Sequence, residues 1–135
     1  MKILTTALYG KFAGSTLETA VNGRLFKGRA PEGTEYPYVV FFLVSDTPDW
    51  TFKNSFEYAL VQFSLFSSAS SSGEVEDMYT YLKTLYDDCS LTLAGSVLTW
   101  MKRQQATLTV EDHTTAAGTT EVWHYAVDYD ILTET

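Results

Sequence analysis

The feature of this sequence that most constrains its fold is a pair of apolar runs separated by a short polar break. The runs are YPYVVFFLV at residues 36–44 and FEYALVQFSLF at residues 56–66. Both are rich in Val, Phe and Tyr, which favour β-strands. The break at residues 45–54 contains Pro, Asp and Asn, which are typical of turns. The pattern predicts a long β-hairpin at the centre of a small sheet.

The spacing of apolar residues within the hairpin indicates how much of it is covered. The first run is almost continuously apolar, and the second alternates only loosely. A strand with one face in water normally alternates between apolar and polar residues. We therefore expect both faces of the hairpin to be largely covered, either by other parts of the chain or by partner subunits.

The N-terminal part predicts a helix followed by an irregular segment. Residues 1–21 have apolar side chains at helical spacing, with a break near Gly14. We expect a helix that ends near residue 13 and a short turn over residues 17–21. Residues 24–35 have little periodicity and predict an arm or a loop.

The clearest amphipathic helix is predicted over residues 72–89, with an apolar stripe on one side and an acidic opposite side. Ser71 and Glu74 have the spacing of a capping box at its start. Cys89 falls on the apolar stripe, so we expect a buried, inert thiol. As the single cysteine, it excludes an internal disulfide.

The last third of the chain is strand-like. Residues 91–93 and 96–111 predict strands, with a bulge near residues 103–105 where the alternation changes phase. Residues 111–120 predict a polar loop. Residues 121–132 alternate cleanly between an apolar face and a mostly acidic face.

Together these segments predict an α+β fold in a single domain over residues 1–135. We expect a mostly antiparallel sheet, built from the central hairpin and the C-terminal strands. An N-terminal helix and one amphipathic helix are expected to pack on it.

The net charge of -8 argues against non-specific binding to nucleic acid phosphates or to anionic lipid. The charge is unevenly distributed. Residues 1–29 hold five of the 9 basic side chains and one of the 17 acidic ones, Glu18. Ordinary solvated surface explains this asymmetry. The alternative explanation is that the basic N-terminal part contacts an acidic face of another copy.

The sequence indicates an intracellular protein without a membrane span. Its apolar runs are shorter than the roughly 18–20 residues that a bilayer requires. The first ten residues are only faintly similar to a secretory signal, and Lys11 follows them directly. We interpret them as a helix of the mature protein.

No residue pattern points to an enzyme. His113 and His124 lack the spacing and the cysteine pair of a zinc site. Residues 28–34 have the two glycines of a P-loop without its lysine. We therefore predict no catalytic residue, metal or cofactor. Two pairs of carboxylates are better explained as solvated turn or strand residues: Asp46 with Asp49, and Asp128 with Asp130.

Nearly the whole chain resembles the tail-completion family of long-tailed bacteriophages, also called tail terminators or head-to-tail joining proteins. The resemblance rests on the order and texture of segments, since the chain has no single diagnostic motif. In chain order, the segments that carry it are ALY at 7–9, NGRLFKGRAP at 22–31, YPYVVF at 36–41, DTPDW at 46–50 and QFSLF at 62–66.

The resemblance implies a structural virion protein that forms a homo-hexameric ring on the head-proximal end of the tail tube. Such a ring stops tube polymerisation and joins the tail to the neck of the head. The implied partners are other copies of the chain, the tail tube protein and the head-neck connector protein. DNA is expected to pass through without specific binding. The implied location is the virion tail, with assembly in the host cytoplasm.

Candidate interface residues follow from this ring hypothesis. We expect subunit or axial contacts from the polar and aromatic residues of two segments: Arg24, Lys27, Arg29, Asp46, Asp49, Trp50 and Lys53. We expect the lumen to be acidic, because basic side chains would retain DNA phosphates. The lumen candidates are Glu111, Asp112, Asp128 and Asp130.

Two alternatives remain open at the sequence level. A neck or head-completion connector is also small, acidic and ring-forming. A small α+β ligand-binding or enzymatic domain would instead place polar groups around a pocket between helix and sheet.

Overall fold

The computed structural model describes residues 2–50, 55–116 and 118–134. Within these residues, five strands form one sheet. In chain order the elements are α1 (Lys2–Phe12), α2 (Thr16–Ala20), β1 (Leu25–Lys27), β2 (Tyr38–Trp50), β3 (Ser55–Ser67), α3 (Gly73–Tyr86), β4 (Val97–Thr115) and β5 (Gly118–Glu134). The strand order is β1-β2-β3-β5-β4. β1 runs parallel to β2, and the other neighbouring pairs are antiparallel. The predicted α+β class is confirmed.

The three helices pack on the same face of the sheet. Leu8, Leu17 and Leu82 from the helices share one apolar core with Phe41 and Phe63 from the central hairpin, and all five are at most 1% exposed. Burial of apolar side chains of this size contributes about 1.5–3 kcal/mol each to folding. The core therefore lies between the helices and one side of the sheet.

The central hairpin is covered on both faces only near its base. Val39, Val40 and Phe41 are buried, whereas every residue from Val44 to Trp50 is exposed. The start of α1 shares a depression with Leu43, Asp46 and Glu57, but the side chains of β2 beyond Leu43 remain exposed. The predicted coverage is thus present in half of the hairpin.

The predicted turn at residues 45–54 is wrong for most of its length, because β2 continues to Trp50. Pro48 lies inside this strand, paired with Glu57 of β3. Proline is tolerated where its missing N–H faces no partner strand. β1 pairs with β2 only as far as Phe41, so the other edge of β2 is free at Pro48. The predicted contact Lys53 lies outside the described residues.

The predicted polar loop at residues 111–120 is also wrong. β4 continues to Thr115 and β5 begins at Gly118. The threonines of this segment favour extended backbone, and the hydroxyls of Thr114 and Thr119 lie 3.1 Å apart across the strands. Because β3 ends at Ser67, the two strands continue beyond it as an exposed arm.

The two remaining predictions for this part of the chain have different outcomes. The predicted bulge is confirmed by a register shift between Arg103 and Gln105, and a second shift follows Leu98. The strand predicted at residues 91–93 is not formed, and this segment packs against the core without regular structure.

The amphipathic helix is shorter than predicted and begins differently. α3 starts after Ser72, which makes no side-chain cap, and Glu74 instead accepts a hydrogen bond from Ser67 Oγ at 2.6 Å. The helix ends at Tyr86, so Cys89 lies beyond it. The Cys89 thiol is half-buried, 3.6 Å from the sulfur of Met101, and burial raises its pKa.

The segment at residues 24–35 is more ordered than predicted. Its first part forms β1, a parallel edge strand that the sequence did not indicate. Arg24 fixes the next crossing of the chain by donating from Nε to Pro37 O (3.0 Å) and from Nη2 to Tyr36 O (3.3 Å).

A buried tyrosine connects α3 to α1 through the core. Tyr86 stacks on Phe63 with ring centroids 4.9 Å apart, and its hydroxyl donates to Leu8 O at 2.9 Å. Burial raises the pKa of Tyr86, which keeps the hydroxyl a donor. The hydrogen bond links the side chain of α3 directly to the backbone of α1.

We expect Tyr86→Phe to lower the free energy of unfolding by about 1–2 kcal/mol, because it leaves the buried Leu8 carbonyl without this partner. Urea denaturation followed by circular dichroism measures the change. Tyr81→Phe, at a half-buried tyrosine on the same helix, is the control and should change stability little. Equal losses in the two variants would contradict the role of this hydrogen bond.

Candidate interaction surface on the helix-free face of the sheet

The sheet face opposite the helices, called the helix-free face below, carries an unusual mixture of aromatic and polar residues. Strand alternation and register bring these side chains to one face: Tyr38, Phe42, Tyr58, Gln62, Phe66, Trp100, Gln105, Glu111, His124, Asp128 and Asp130. Phe42 and Tyr58 are each 37% exposed. Large exposed aromatic side chains on one face are typical of interaction surfaces.

At one end of this face, a carboxylate bridges two histidines. Glu111 Oε1 lies 3.1 Å from His113 Nε2, and Glu111 Oε2 lies 2.9 Å from His124 Nδ1. Tyr36 OH lies 2.8 Å from His113 Nδ1, so the network also holds the chain segment that precedes β2. Phe66 stacks on His124, with centroids 4.4 Å apart and an interplanar angle of 20°.

The electrostatics of this cluster favour an ionised Glu111. Burial alone would raise the pKa of its carboxyl, but the hydrogen bonds and charges of His124 and His113 outweigh burial and lower it. The carboxylate occupies one nitrogen of each imidazole. Within residues 2–50, 55–116 and 118–134, no group of three potential ligands is placed to hold a metal ion. Through Tyr36, the cluster instead holds the chain segment that precedes β2 against the sheet.

The middle of the helix-free face holds a buried carboxylate between two amides. Asp128 is 9% exposed. Its Oδ1 accepts from Gln62 Nε2 and its Oδ2 accepts from Gln105 Nε2, both at 2.9 Å. In the described part of the chain, no basic side chain forms an ion pair with it. Beside it, Asp130 is half-buried.

The far end of this face is aromatic. Tyr58 and Trp100 meet edge to face with centroids 6.2 Å apart, and the ammonium group of Lys102 lies 5.7 Å from the centre of the Trp100 ring. Lys102 is the register partner of Asp130 but turns to the indole ring instead. Within the described residues, Lys102 therefore forms no ion pair with Asp130.

The predicted basic contacts lie near the opposite edge of the sheet. Lys27 ends the edge strand β1, and Arg29 follows it; both side chains are exposed. Arg24 is nearby, with its guanidinium on backbone carbonyls. Within the described residues, none of these three forms an ion pair with a carboxylate.

The predicted contacts on the central hairpin lie together on the exposed end of β2. Asp46, Asp49 and Trp50 are all exposed, and Trp50 is 75% exposed. Asp49 and Trp50 point to opposite faces because they are adjacent in a strand. The structure thus groups these residues by location but not on one face.

The lumen candidates divide between the two sheet faces. Glu111, Asp128 and Asp130 share the helix-free face. Asp112 lies on the other side of the arm, with Glu121 as its register partner. Sequence alternation correctly grouped Asp128 with Asp130. The alternation did not predict that Gln62 and Gln105 donate to Asp128, or that Tyr36 contacts His113. These contacts depend on which strands become neighbours.

The cavities of the described residues are open depressions. One lies between the start of α1 and the central hairpin, has a volume of about 250 Å³, and is lined by apolar side chains including Leu4, Leu43 and Leu93. Its charged lining residues are Lys2, Asp46 and Glu57.

Among the described residues, no helix is long and apolar enough to cross a membrane.

Comparison with known proteins identifies a shared fold but no family. No family model matches the chain, and no curated protein matches it. Among solved structures, a chain from the "Virion of native gene transfer agent (GTA) particle" superposes with a TM-score of 0.66 and 12% sequence identity. The match covers 97% of this chain and 96% of that chain. At this identity the two chains share a fold over nearly their full lengths.

We expect Glu111→Gln to reduce stability at neutral pH and to matter less as the pH falls. The folded pKa of Glu111 lies below its ordinary value of 4.5. Its stabilising contribution is therefore complete above that value and is lost as the pH falls through the folded pKa. Urea unfolding of both proteins between about pH 3 and pH 7 tests this sign.

Glu32→Gln is the matched control for this measurement, since Glu32 is exposed in the segment before β2. Its difference from the unsubstituted protein should stay near zero throughout. A difference for Glu111→Gln that grows as the pH falls from 4.5 toward about 3 would contradict the role assigned to the bridging carboxylate.

Proposed function

We propose that this protein is a structural component of a phage-like virion, and that it acts as a tail terminator. In this role a ring of copies caps the head-proximal end of the tail tube, stops tube polymerisation and forms the joint to the head neck. The observation that carries the proposal is the fold shared over 97% of the chain with a chain of a gene transfer agent virion. The sequence resemblance to tail-completion proteins supports the same assignment independently.

The distribution of unpaired charge supports assembly into a ring. Lys27 and Arg29 lie at the β1 edge of the sheet, whereas Asp128 and Asp130 lie on β5, next to the opposite edge. A contact between two different patches of the same chain is heterologous, and repeated contacts of this kind close into a ring when the rotation permits. We propose a homo-hexamer, with subunits joined through these two sides.

The exposed end of β2 is proposed to supply further subunit or axial contacts. Trp50 is 75% exposed, and large aromatic side chains are enriched in the centres of protein interfaces. Asp46 and Asp49 precede it on the same strand. Lys53, which lies outside the described residues, belongs to the same proposed contact on the basis of sequence alone.

The lumen of the ring is proposed to be acidic, so that DNA slides through without specific binding. Asp112 and its register partner Glu121 are both exposed on the arm of β4 and β5. Glu111 is a further candidate. Asp128 and Asp130, also lumen candidates by sequence, are assigned here to the subunit contact, since Asp128 is 9% exposed and held by hydrogen bonds. Repulsion between acidic side chains and phosphates disfavours retention of DNA.

The proposed partners are the tail tube protein on one face of the ring and the head-neck connector protein on the other. The proposed location is the virion tail, with assembly in the host cytoplasm. We propose no enzymatic activity. A convergent set of catalytic side chains, or a small-molecule ligand found by thermal-shift screening, would be the specific support for a small α+β enzyme or ligand-binding domain. A neck connector is the second candidate, because a ring-forming connector with this fold would also resemble the chain of the gene transfer agent virion.

We expect the purified chain to form rings with a central hole, either in solution or on isolated headless tails. Light scattering after size-exclusion chromatography measures the mass, and negative-stain micrographs show the rings. Rings at one end of headless tails support a terminator, whereas rings only on filled heads support a connector. A chain that stays monomeric at high concentration and binds neither structure would contradict both.

The charge contact predicts that Lys27→Glu combined with Arg29→Glu abolishes ring formation without unfolding the chain, because both side chains are exposed and make no ion pair in the described part of the chain. Higher salt should also weaken assembly of the unsubstituted chain, since exposed charges are screened. Lys2→Glu combined with Lys11→Glu has the same change in charge on α1 and should leave rings intact. Loss of rings in both double variants would argue for net charge instead of a specific contact.

A further inference from the structure

Asp128 is a buried carboxylate that accepts two hydrogen bonds but forms no ion pair among the described residues. Lys102 lies on the same sheet face, and its ammonium group is 5.7 Å from the centre of the Trp100 ring. It is 9% exposed, and two glutamine amides each donate one hydrogen bond to it. Burial of an ionised carboxylate is costly unless it is both hydrogen-bonded and paired with a cation. Arg103, the nearby arginine on β4, is paired with Asp87 on the helix side of the sheet. The charge of Asp128 is thus only partly compensated.

The geometry leaves this carboxylate able to accept more. An ionised carboxylate has about four acceptor positions, and Gln62 and Gln105 occupy one on each oxygen. Beside it lies an open depression of about 460 Å³, lined by Ser45, Leu60, Gln104, Gln105, Asp128 and Asp130. Asp130 adds a second carboxylate to the same lining. The depression combines negative charge with acceptors in fixed positions.

We propose that this depression receives an arginine side chain of a second copy of the chain, and that the arginine is Arg29. A guanidinium group carries five donors in a planar fork and binds carboxylates bidentately, whereas an ammonium group cannot match this geometry. The inference rests on the proposed ring and assigns one specific contact within it.

Arg29 fits the role of donor better than the other cations near the β1 edge. It is exposed, and it makes no hydrogen bond or ion pair in the described part of the chain. Arg24 already donates to two carbonyls of its own chain. Lys27 lacks the forked geometry. Within one subunit, β1 and β5 are three strand spacings apart, about 14 Å, so the contact links two copies.

The contact also explains the two glutamines. By donating to both carboxylate oxygens, they fix the plane of the Asp128 carboxylate before a partner arrives. A preorganised acceptor loses less conformational entropy on binding. Gln62 and Gln105 are therefore positioning residues, and Asp128 with Asp130 selects the charge and shape of the partner's side chain.

The test is self-association of Asp128→Asn, measured by analytical ultracentrifugation, together with its unfolding free energy at dilutions where the chain is monomeric. Removing one partner of a buried charge pair should weaken association by at least about 30-fold. Stability of the isolated subunit should change much less than association, because Asn keeps one acceptor oxygen and Gln62 or Gln105 can pair with its amide group after rotating its own. Asp77→Asn, on the outer face of α3, is the matched control and should change neither quantity.

Direct pairing is tested by a double-mutant cycle. Arg29→Gln alone should weaken association about as much as Asp128→Asn, and the two together should weaken it little further. Arg29→Lys should recover only part of the loss, since lysine keeps the charge without the fork. Full recovery by lysine would overturn the proposed bidentate contact.

The outcomes separate this inference from the ring itself. If the unsubstituted chain forms rings and Asp128→Asn forms them equally well, the contact is wrong and the ring stands. If the effects of the two variants multiply independently, Asp128 and Arg29 do not touch, and the contact is likewise wrong. If the unsubstituted chain forms no ring in solution or on tails, both proposals fail.

Discussion

One-sided coverage of the sheet is the constraint from which the rest of this structure follows. All three helices pack on one face, where Leu8, Leu17 and Leu82 close the core over Phe41 and Phe63. This single layer is enough to bury one side of the central hairpin. The opposite face must then be stabilised by contacts among its own side chains. An open face with large apolar residues is also the natural place for a partner.

The helix-free face meets this demand with polar networks as well as with aromatic contacts. Glu111 bridges two imidazoles at one end, and Asp128 is held by two amides in the middle. Polar groups in a partly buried setting are tolerated when their hydrogen bonds are made. The first network joins its carboxylate to two imidazole rings. The second network contains only neutral donors. Asp128 is therefore the carboxylate to which we assign a positively charged partner from another copy.

The same short pattern in two places shows how far local sequence determines local structure. The sequence S-x-x-E occurs at Ser15–Glu18 and at Ser71–Glu74. At the first site Ser15 caps α2, accepting from the Glu18 N–H at 3.1 Å. At the second site Ser67 takes the glutamate side chain, and the helix begins after Ser72 without a side-chain cap. Ser67 therefore replaces Ser71 as the hydrogen-bond partner of Glu74. Ser67 is the last residue of β3, so this contact depends on where that strand ends.

By itself, the sequence determined the fold class, the central hairpin, the break between α1 and α2, the bulge near Arg103 and the alternation of β5. Each of these depends on residues that are close together in the chain, through periodicity, propensity or a phase change.

Only the tertiary structure decided that β2 extends through Pro48, that β1 joins the sheet as a parallel edge, and that Gln62 and Gln105 meet on Asp128. These features depend on which strands become neighbours and on which edges stay free. That information belongs to pairs of residues far apart in sequence, so no local pattern contains it.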